Sequence, residues 1–288
     1  MIAQNFDYIL PASLGEAVNL LQKHAGRAKI LAGGHSLVPM MKLRFAAPEF
    51  LIDIGRLHEL SYVKEDGGML RIGAMTTHYA IESSDVIRRR VRALVDAAAS
   101  IGDVQVRNKG TIGGSLAHAD PAADYPAAIL ASGATIIALG PKGERQIPAD
   151  QFFVDMLTTS LGENEIVREI RIPIPSGKTG CAYVKMAQKA SGFALCGAAA
   201  FVELDASGAL ANVAIGITGV ANRAFHATEP ERALKGQKPS ADVLRNACRK
   251  AADGVTALED IHASAEYRLD LARIFARRAI ETAIGRAE

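Results

Sequence analysis

Two short stretches constrain this chain more than any others: Ala32-Gly33-Gly34-His35-Ser36 and Thr111-Ile112-Gly113-Gly114-Ser115. Each sets a Gly pair, flanked by small or polar residues, after a strand-like or turn-like segment. A residue without Cβ reaches positive φ and lets backbone N–H groups approach a ligand closely. Successive N–H groups in such a turn form a concavity that attracts phosphate oxygens. Two such loops, each followed by a hydroxyl residue, predict a clamp on both sides of a diphosphate. Most Gly pairs are simply tight turns. Here Pro39 and Met40-Met41 suit the walls of a cofactor site, and the hydroxyls of Thr111 and Ser115 bracket the second pair.

Charge excludes several classes of partner. With 33 basic against 31 acidic residues the net charge is +2, which gives no reason to expect nucleic acid or a membrane surface. Aromatic residues make up 5% and Trp is absent, which argues against base-stacking surfaces. The N-terminal stretch lacks a basic start followed by an apolar run, so no secretory signal is expected there, and no stretch has the apolar length of a membrane helix. Three scattered cysteines, Cys181, Cys196 and Cys248, cannot ligate an iron–sulfur cluster, which takes four thiolates. Their odd number and spacing predict reduced thiols and a cytoplasmic location.

The chain reads as α+β. Residues 6–10 form a strand, and Ser13 with Glu16 opens a helix through a capping box, stopped near Gly26. Residues 29–32 and 50–54 are further strands, so the first ~55 residues predict a small β-α-β unit. A mixed α+β unit follows. It has strand-like 69–72, a helix capped by Thr76 or Thr77, helices over 92–100 and 125–132, and strands over 134–139 and 165–172. Pro173-Ile174-Pro175-Ser176-Gly177 is the best boundary. It divides a domain over 1–175, with parts 1–57 and 58–175, from a second domain over 176–288. The second predicts a three-stranded antiparallel sheet over 182–187, 194–204 and 210–218, backed by a polar-faced helical tail in which Arg268, Arg273, Arg277 and Arg278 are exposed.

Other motifs fall away. No G-x-G-x-x-G occurs, which argues against a Rossmann site, and Gly177-Lys178-Thr179 lacks the earlier Gly of a P-loop. His118, Asp120 and Asp124 supply one imidazole where a catalytic zinc takes mostly His, so they read as loop polar groups and caps. His35 reads as a loop imidazole bonded to backbone, and no Ser-His-Asp set is discernible.

The segments Leu31–Arg44 and Arg107–Ala127 resemble the FAD-binding medium subunits of the molybdenum hydroxylases, nearest to the flavoprotein chains of aerobic carbon monoxide dehydrogenases. The resemblance runs from Phe6 to Glu266. It implies non-covalent FAD, with the pyrophosphate held by Leu31, Ala32, Gly33, Gly34, His35, Ser36 and Leu37 and by Thr111, Gly113, Gly114 and Ser115. Asp124 matches a carboxylate of the flavin-nucleotide site, where it would accept from ribose hydroxyls or ring N–H groups. Ile101-Gly102 matches a segment beside the flavin. Val167 and Lys185 match positions bordering FAD, and Phe193 an aromatic over the isoalloxazine. For Val167 and Phe193, ordinary strand core reads nearly as well. Lys185, among apolar neighbours, calls for a partner.

The resemblance further implies a small partner subunit with two [2Fe–2S] clusters and a large one with the molybdenum cofactor, assembled as a dimer of heterotrimers. No residue of this chain is expected to be catalytic or to bind metal. Two departures weaken carbon monoxide as the specific substrate: Ser115 stands where many relatives carry Asn or Asp, and DPAAD (Asp120–Asp124) replaces a Gly-Asn version. Two other readings remain open at this point: an autonomous FAD-dependent oxidase or dehydrogenase, and a non-redox nucleotide-binding module.

Overall fold

The computed structural model describes residues 2–287. It builds three units in chain order. The first comprises β1 (Asp7–Ile9), α1 (Leu14–Lys23), β2 (Ala28–Leu31), α2 (Leu37–Leu43) and β3 (Phe50–Asp53). Its sheet has the order β1-β3-β2, with β3 central and parallel to both neighbours. The Ser13 cap forms as expected: its Oγ accepts from Glu16 N at 3.1 Å, while Glu16 reaches back to Ala12 N at 2.6 Å. Leu14, Ala17, Val18 and Leu21 then fall on one buried helical face, over Ile52 and Ile54.

The second unit opens with β4 (Val63–Asp66) and β5 (Met69–Gly73). Six helices follow: α3 (His78–Glu82), α4 (Asp85–Arg90), α5 (Arg92–Ala99), α6 (Val104–Lys109), α7 (Ile112–His118) and α8 (Tyr125–Ala131). It closes with β6 (Thr135–Gly140), β7 (Gly143–Pro148), α9 (Ala149–Phe152), β8 (Phe153–Asp155), β9 (Thr158–Thr159) and β10 (Ile166–Pro173). The five-stranded antiparallel sheet has the order β4-β5-β10-β6-β7. Thr77 caps α3, accepting from Ala80 N at 3.2 Å.

The third unit is β11 (Lys178–Ala187), β12 (Ala194–Leu204), β13 (Leu210–Thr218), β14 (Phe225–His226), α10 (Thr228–Leu234), α11 (Ala241–Cys248) and α12 (Ala265–Gly285). The three expected strands are present, and the two-residue β14 extends their antiparallel sheet to four. Side chains alternate across a strand, and β12 uses both faces. Ala198, Ala200 and Val202 join the core under α12, whereas Ala199 joins the core shared with the second unit. Small residues let helices lie close on either side.

The helical tail departs from its expected polar face. α12 buries Leu271, Ala272, Phe275, Ala276, Ala279, Ile280 and Ala283 against the sheet. Arg268 is 4% exposed rather than on the surface: its guanidinium donates to the carbonyls of Leu195 (2.9 Å) and Gly219 (2.6 Å) and pairs with Asp260 (2.7 Å). A charged residue is tolerated on a buried helical face because both terminal guanidinium nitrogens are paired, although its Nε has no partner among the described residues.

Candidate functional site

β2 delivers the first Gly loop. Gly34 has φ of +78°, a left-handed turn that bends the chain into α2. Among the described residues, the N–H groups of Gly33, Gly34, His35 and Ser36 donate to no carbonyl or side chain of the protein. Unpaired successive donors of this kind are what an anion's oxygens require. His35 and Ser36 are exposed, and Leu31, Ala32, Gly33, Gly34 and Leu37 are half-buried, so the donors face an accessible surface. The His35 ring makes no hydrogen bond among the described residues, contrary to the expected backbone-bonded imidazole.

The second Gly segment differs from its expected form. It is the first turn of α7, not a loop with positive φ. Thr111 is the N-cap, its Oγ1 accepting from Gly114 N at 3.1 Å, and Ser115 N bonds to Thr111 O at 3.0 Å. Gly113 N and Ile112 N are held by the carbonyls of Ala74 (2.9 Å) and Thr76 (3.1 Å). These four donors are therefore already used, and helix capping explains the Thr-x-x-Gly spacing. What the segment leaves free is the half-buried Ser115 hydroxyl, which makes no hydrogen bond among the described residues. Gly113 is required by packing, since a Cβ there would lie 2.5 Å from that of Ala74.

The two Gly segments nevertheless meet. A Cβ on Gly114 would stand 3.7 Å from Ala32 Cβ, and one on Gly33 would strike the Lys109 carbonyl and lie 2.7 Å from Gly110 Cα. On its far side Gly110 packs against the His78 ring, whose backbone N–H donates to Gly110 O at 3.0 Å. His78 is buried, with Nδ1 3.2 Å from the Tyr125 hydroxyl. Burial, reinforced by the charges of His35 and Arg107, lowers its pKa to about 4 and keeps the ring neutral. Sequence reading missed His78, Gly110 and Tyr125. A histidine following a capping Thr carries no local signal of what folds over it.

A second cluster lies beyond Tyr125. Asp124 is 5% exposed, and its Oδ1 forms an ion pair with Lys185 Nζ at 2.8 Å and accepts from the Tyr183 hydroxyl at 2.6 Å. Burial raises its pKa to about 6 against the pull of Lys185. Asp124 Oδ2 makes no hydrogen bond among the described residues. Lys185 also donates to Ser100 O at 2.7 Å and Gly192 O at 2.8 Å. This brings Ile101-Gly102 and the Phe193 turn to one place. Arg107 braces the same segment through the carbonyls of Ile101 and Gly102, both at 3.1 Å. Phe193 is 51% exposed, so it is not strand core. Val167 is different: at 4% exposure inside the core, on a central strand, it offers the site no side-chain surface.

These features converge with the comparisons. The family described as the FAD binding domain in molybdopterin dehydrogenase matches residues 4–175. The CO dehydrogenase flavoprotein C-terminal domain matches residues 181–283. The medium chain of carbon monoxide dehydrogenase from Hydrogenophaga pseudoflava is 41% identical over 99% of both chains. The chain belongs to the FAD-binding medium subunits of the molybdenum hydroxylases. A solved carbon monoxide dehydrogenase from the same organism, lacking the Mo-pyranopterin moiety, superposes with TM-score 0.96 at 42% identity over the whole of both chains. The glyceraldehyde dehydrogenase medium chain of Sulfolobus acidocaldarius is 34% identical over 98% of this chain and 99% of its own length.

As a medium subunit the chain is the flavoprotein part of an oxidoreductase. Its residues fit the cofactor: free backbone donors suit a pyrophosphate, and apolar and aromatic side chains suit a flavin ring. Cys181, Cys196 and Cys248 are buried, and burial pushes their thiols up to about 11, 12 and 12. No group of three or more metal-ligating side chains occurs among the described residues. No helix among them is long and apolar enough to cross a membrane.

Proposed function

We propose that this subunit holds FAD non-covalently within residues 1–175, closed on one side by residues 176–288, and relays electrons. They would arrive from iron–sulfur clusters of a small partner and leave to an external acceptor. The observation that carries the reading is the run of unpaired N–H groups from Gly33 to Ser36, in contact with the Gly114 turn. The first loop would hold the pyrophosphate by backbone donors, with the Ser115 hydroxyl facing it. Asp124 Oδ2 is an acceptor for a ribose hydroxyl or ring N–H, and Phe193 an apolar cover for one ring face.

FAD supplies a carrier able to exchange electrons one or two at a time. The chain's residues bind and orient it. Substrate oxidation is assigned to a large molybdenum-bearing partner, and the assembly to a cytoplasmic dimer of heterotrimers. The named relatives span carbon monoxide and glyceraldehyde, which fits a relay whose substrate contacts lie elsewhere. Denaturing the purified complex and separating the released flavin tests the cofactor. FAD free of the chain is expected, whereas FMN or a chain-attached flavin refutes the reading.

A further inference from the structure

Lys185 is placed beside the cofactor by resemblance, yet its ammonium group is fully spent on the protein. An ammonium has three N–H donors and no acceptor. That of Lys185 donates to Ser100 O (2.7 Å) and Gly192 O (2.8 Å) and forms an ion pair with Asp124 Oδ1 (2.8 Å). The side chain is 6% exposed. No proton remains for a ligand. The three acceptors belong to three separate segments: the end of α5, the N-cap of α8, and the turn between β11 and β12.

That turn is otherwise held mainly by itself. Gly192 N donates to Gln188 O and Gln188 N to Phe193 O, both at 2.8 Å, and Gly192 has φ of +76°. Besides Lys185, the backbone bond that fastens it to the second unit is Ala194 N to Ala122 O at 3.2 Å. Phe193 projects from the turn half-exposed.

We propose that Lys185 is a positioning residue: its ammonium group pins the Phe193 turn to Ser100 and Asp124, and thereby fixes the aromatic ring over the flavin site. This rests on the reading that FAD occupies that site. The pin works geometrically, because one cation satisfies two carbonyls and a carboxylate that would otherwise face each other. Losing it leaves Gly192 O and Ser100 O without a donor and the turn free to swing outward, carrying Phe193 with it.

The test uses Lys185→Met, Phe193→Ala and the double variant in the assembled complex, with Leu244→Ala in the core under α12 as a stability control. In Lys185→Met, amide hydrogen exchange at Gln188 and Gly192 should quicken at least tenfold. Iodide quenching of the flavin should rise at least threefold in each single variant and no further in the double. Unchanged exchange overturns the pin whether or not flavin is bound. Additive quenching in the double variant, or an equal rise in Leu244→Ala, overturns the link to Phe193. A wild-type complex without FAD refutes the cofactor reading, while the exchange result still decides the pin.

Discussion

Replacing Gly33 by Ala should loosen the cofactor more than any other single methyl group added to these loops. The new Cβ would strike the Lys109 carbonyl and lie 2.7 Å from Gly110 Cα and 2.8 Å from the Lys109 carbonyl carbon. Carbon atoms rest about 3.5–4.0 Å apart, so the two segments must part by roughly 1 Å. The obstruction is backbone and cannot rotate away. Overpacking of this kind costs about 1–3 kcal/mol. If the loop moves only in the bound state, about 2 kcal/mol weakens FAD roughly 30-fold. If it also strains the free chain, the melting temperature falls by ~2–4 °C per kcal/mol.

Gly114→Ala is the matched comparison. Its Cβ meets a side-chain oxygen, Thr111 Oγ1, at 2.9 Å, and Ala32 Cβ at 3.7 Å. Gly114 sits in the first turn of a helix without positive φ. There Ala gains about 0.5–1 kcal/mol over Gly, which offsets the crowding. Flavin per chain, from the visible-to-ultraviolet absorbance ratio during dilution, separates the two. Full flavin and an unchanged melting temperature in Gly33→Ala, or an equal loss in Gly114→Ala, refutes the argument.

Two further expectations concern pH. Asp124 is held near 6 by burial, so its share of stability is present below its ordinary value of 3.8 and lost as pH rises through 6. That amounts to about 3 kcal/mol in all, most of it lost between pH 4 and pH 6. Asp124→Asn lacks this slope, so the melting-temperature gap from wild type should be widest at or below pH 4, shrink between pH 4 and 6, and level off above that. A constant gap contradicts it. His226 bonds Glu231 at 2.8 Å and Asp150 at 3.0 Å, tying the third unit to α9, and the Glu231 bond raises its pKa. Its contribution is complete below pH 6.5 and fades as pH rises through its raised value. His226→Gln should therefore cost more at pH 6 than at pH 9 in thermal melts, and an equal cost at both would count against the bridge.

Elements with local signals were legible in the sequence. The Ser13 capping box, the helix cap at Thr76 or Thr77 (Thr77 in the structure), the apolar strands 194–204 and 210–218 and the turn at 173–177 all carry their information within a few residues. The Gly segments were legible as a pair, but not in conformation. The N-cap geometry of Thr111 draws its neighbours into a helix, so only the first segment keeps free donors. Long-range pairings were not legible. Lys185 called for a partner, but Asp124 and Ser100 reach it only because β11 lies along α5. α12 misled because its many Ala residues look neutral until a sheet covers them.

α8 has every residue from Tyr125 to Ala131 buried, largely beneath β12 and β13. A Cβ on Gly216 of β13 would run into the Ala127 carbonyl, so helix and strand touch backbone to backbone. The boundary between the two matched sequence families therefore runs beside a hydrophobic interior that both halves fill. Cutting the chain near Gly177 would bare an entirely greasy helix to water. The half carrying the nucleotide loops is thus no portable cassette. Exchange of whole medium subunits between oxidoreductases preserves this interior, whereas a chimera joined at that turn must match α8 to a foreign sheet methyl by methyl.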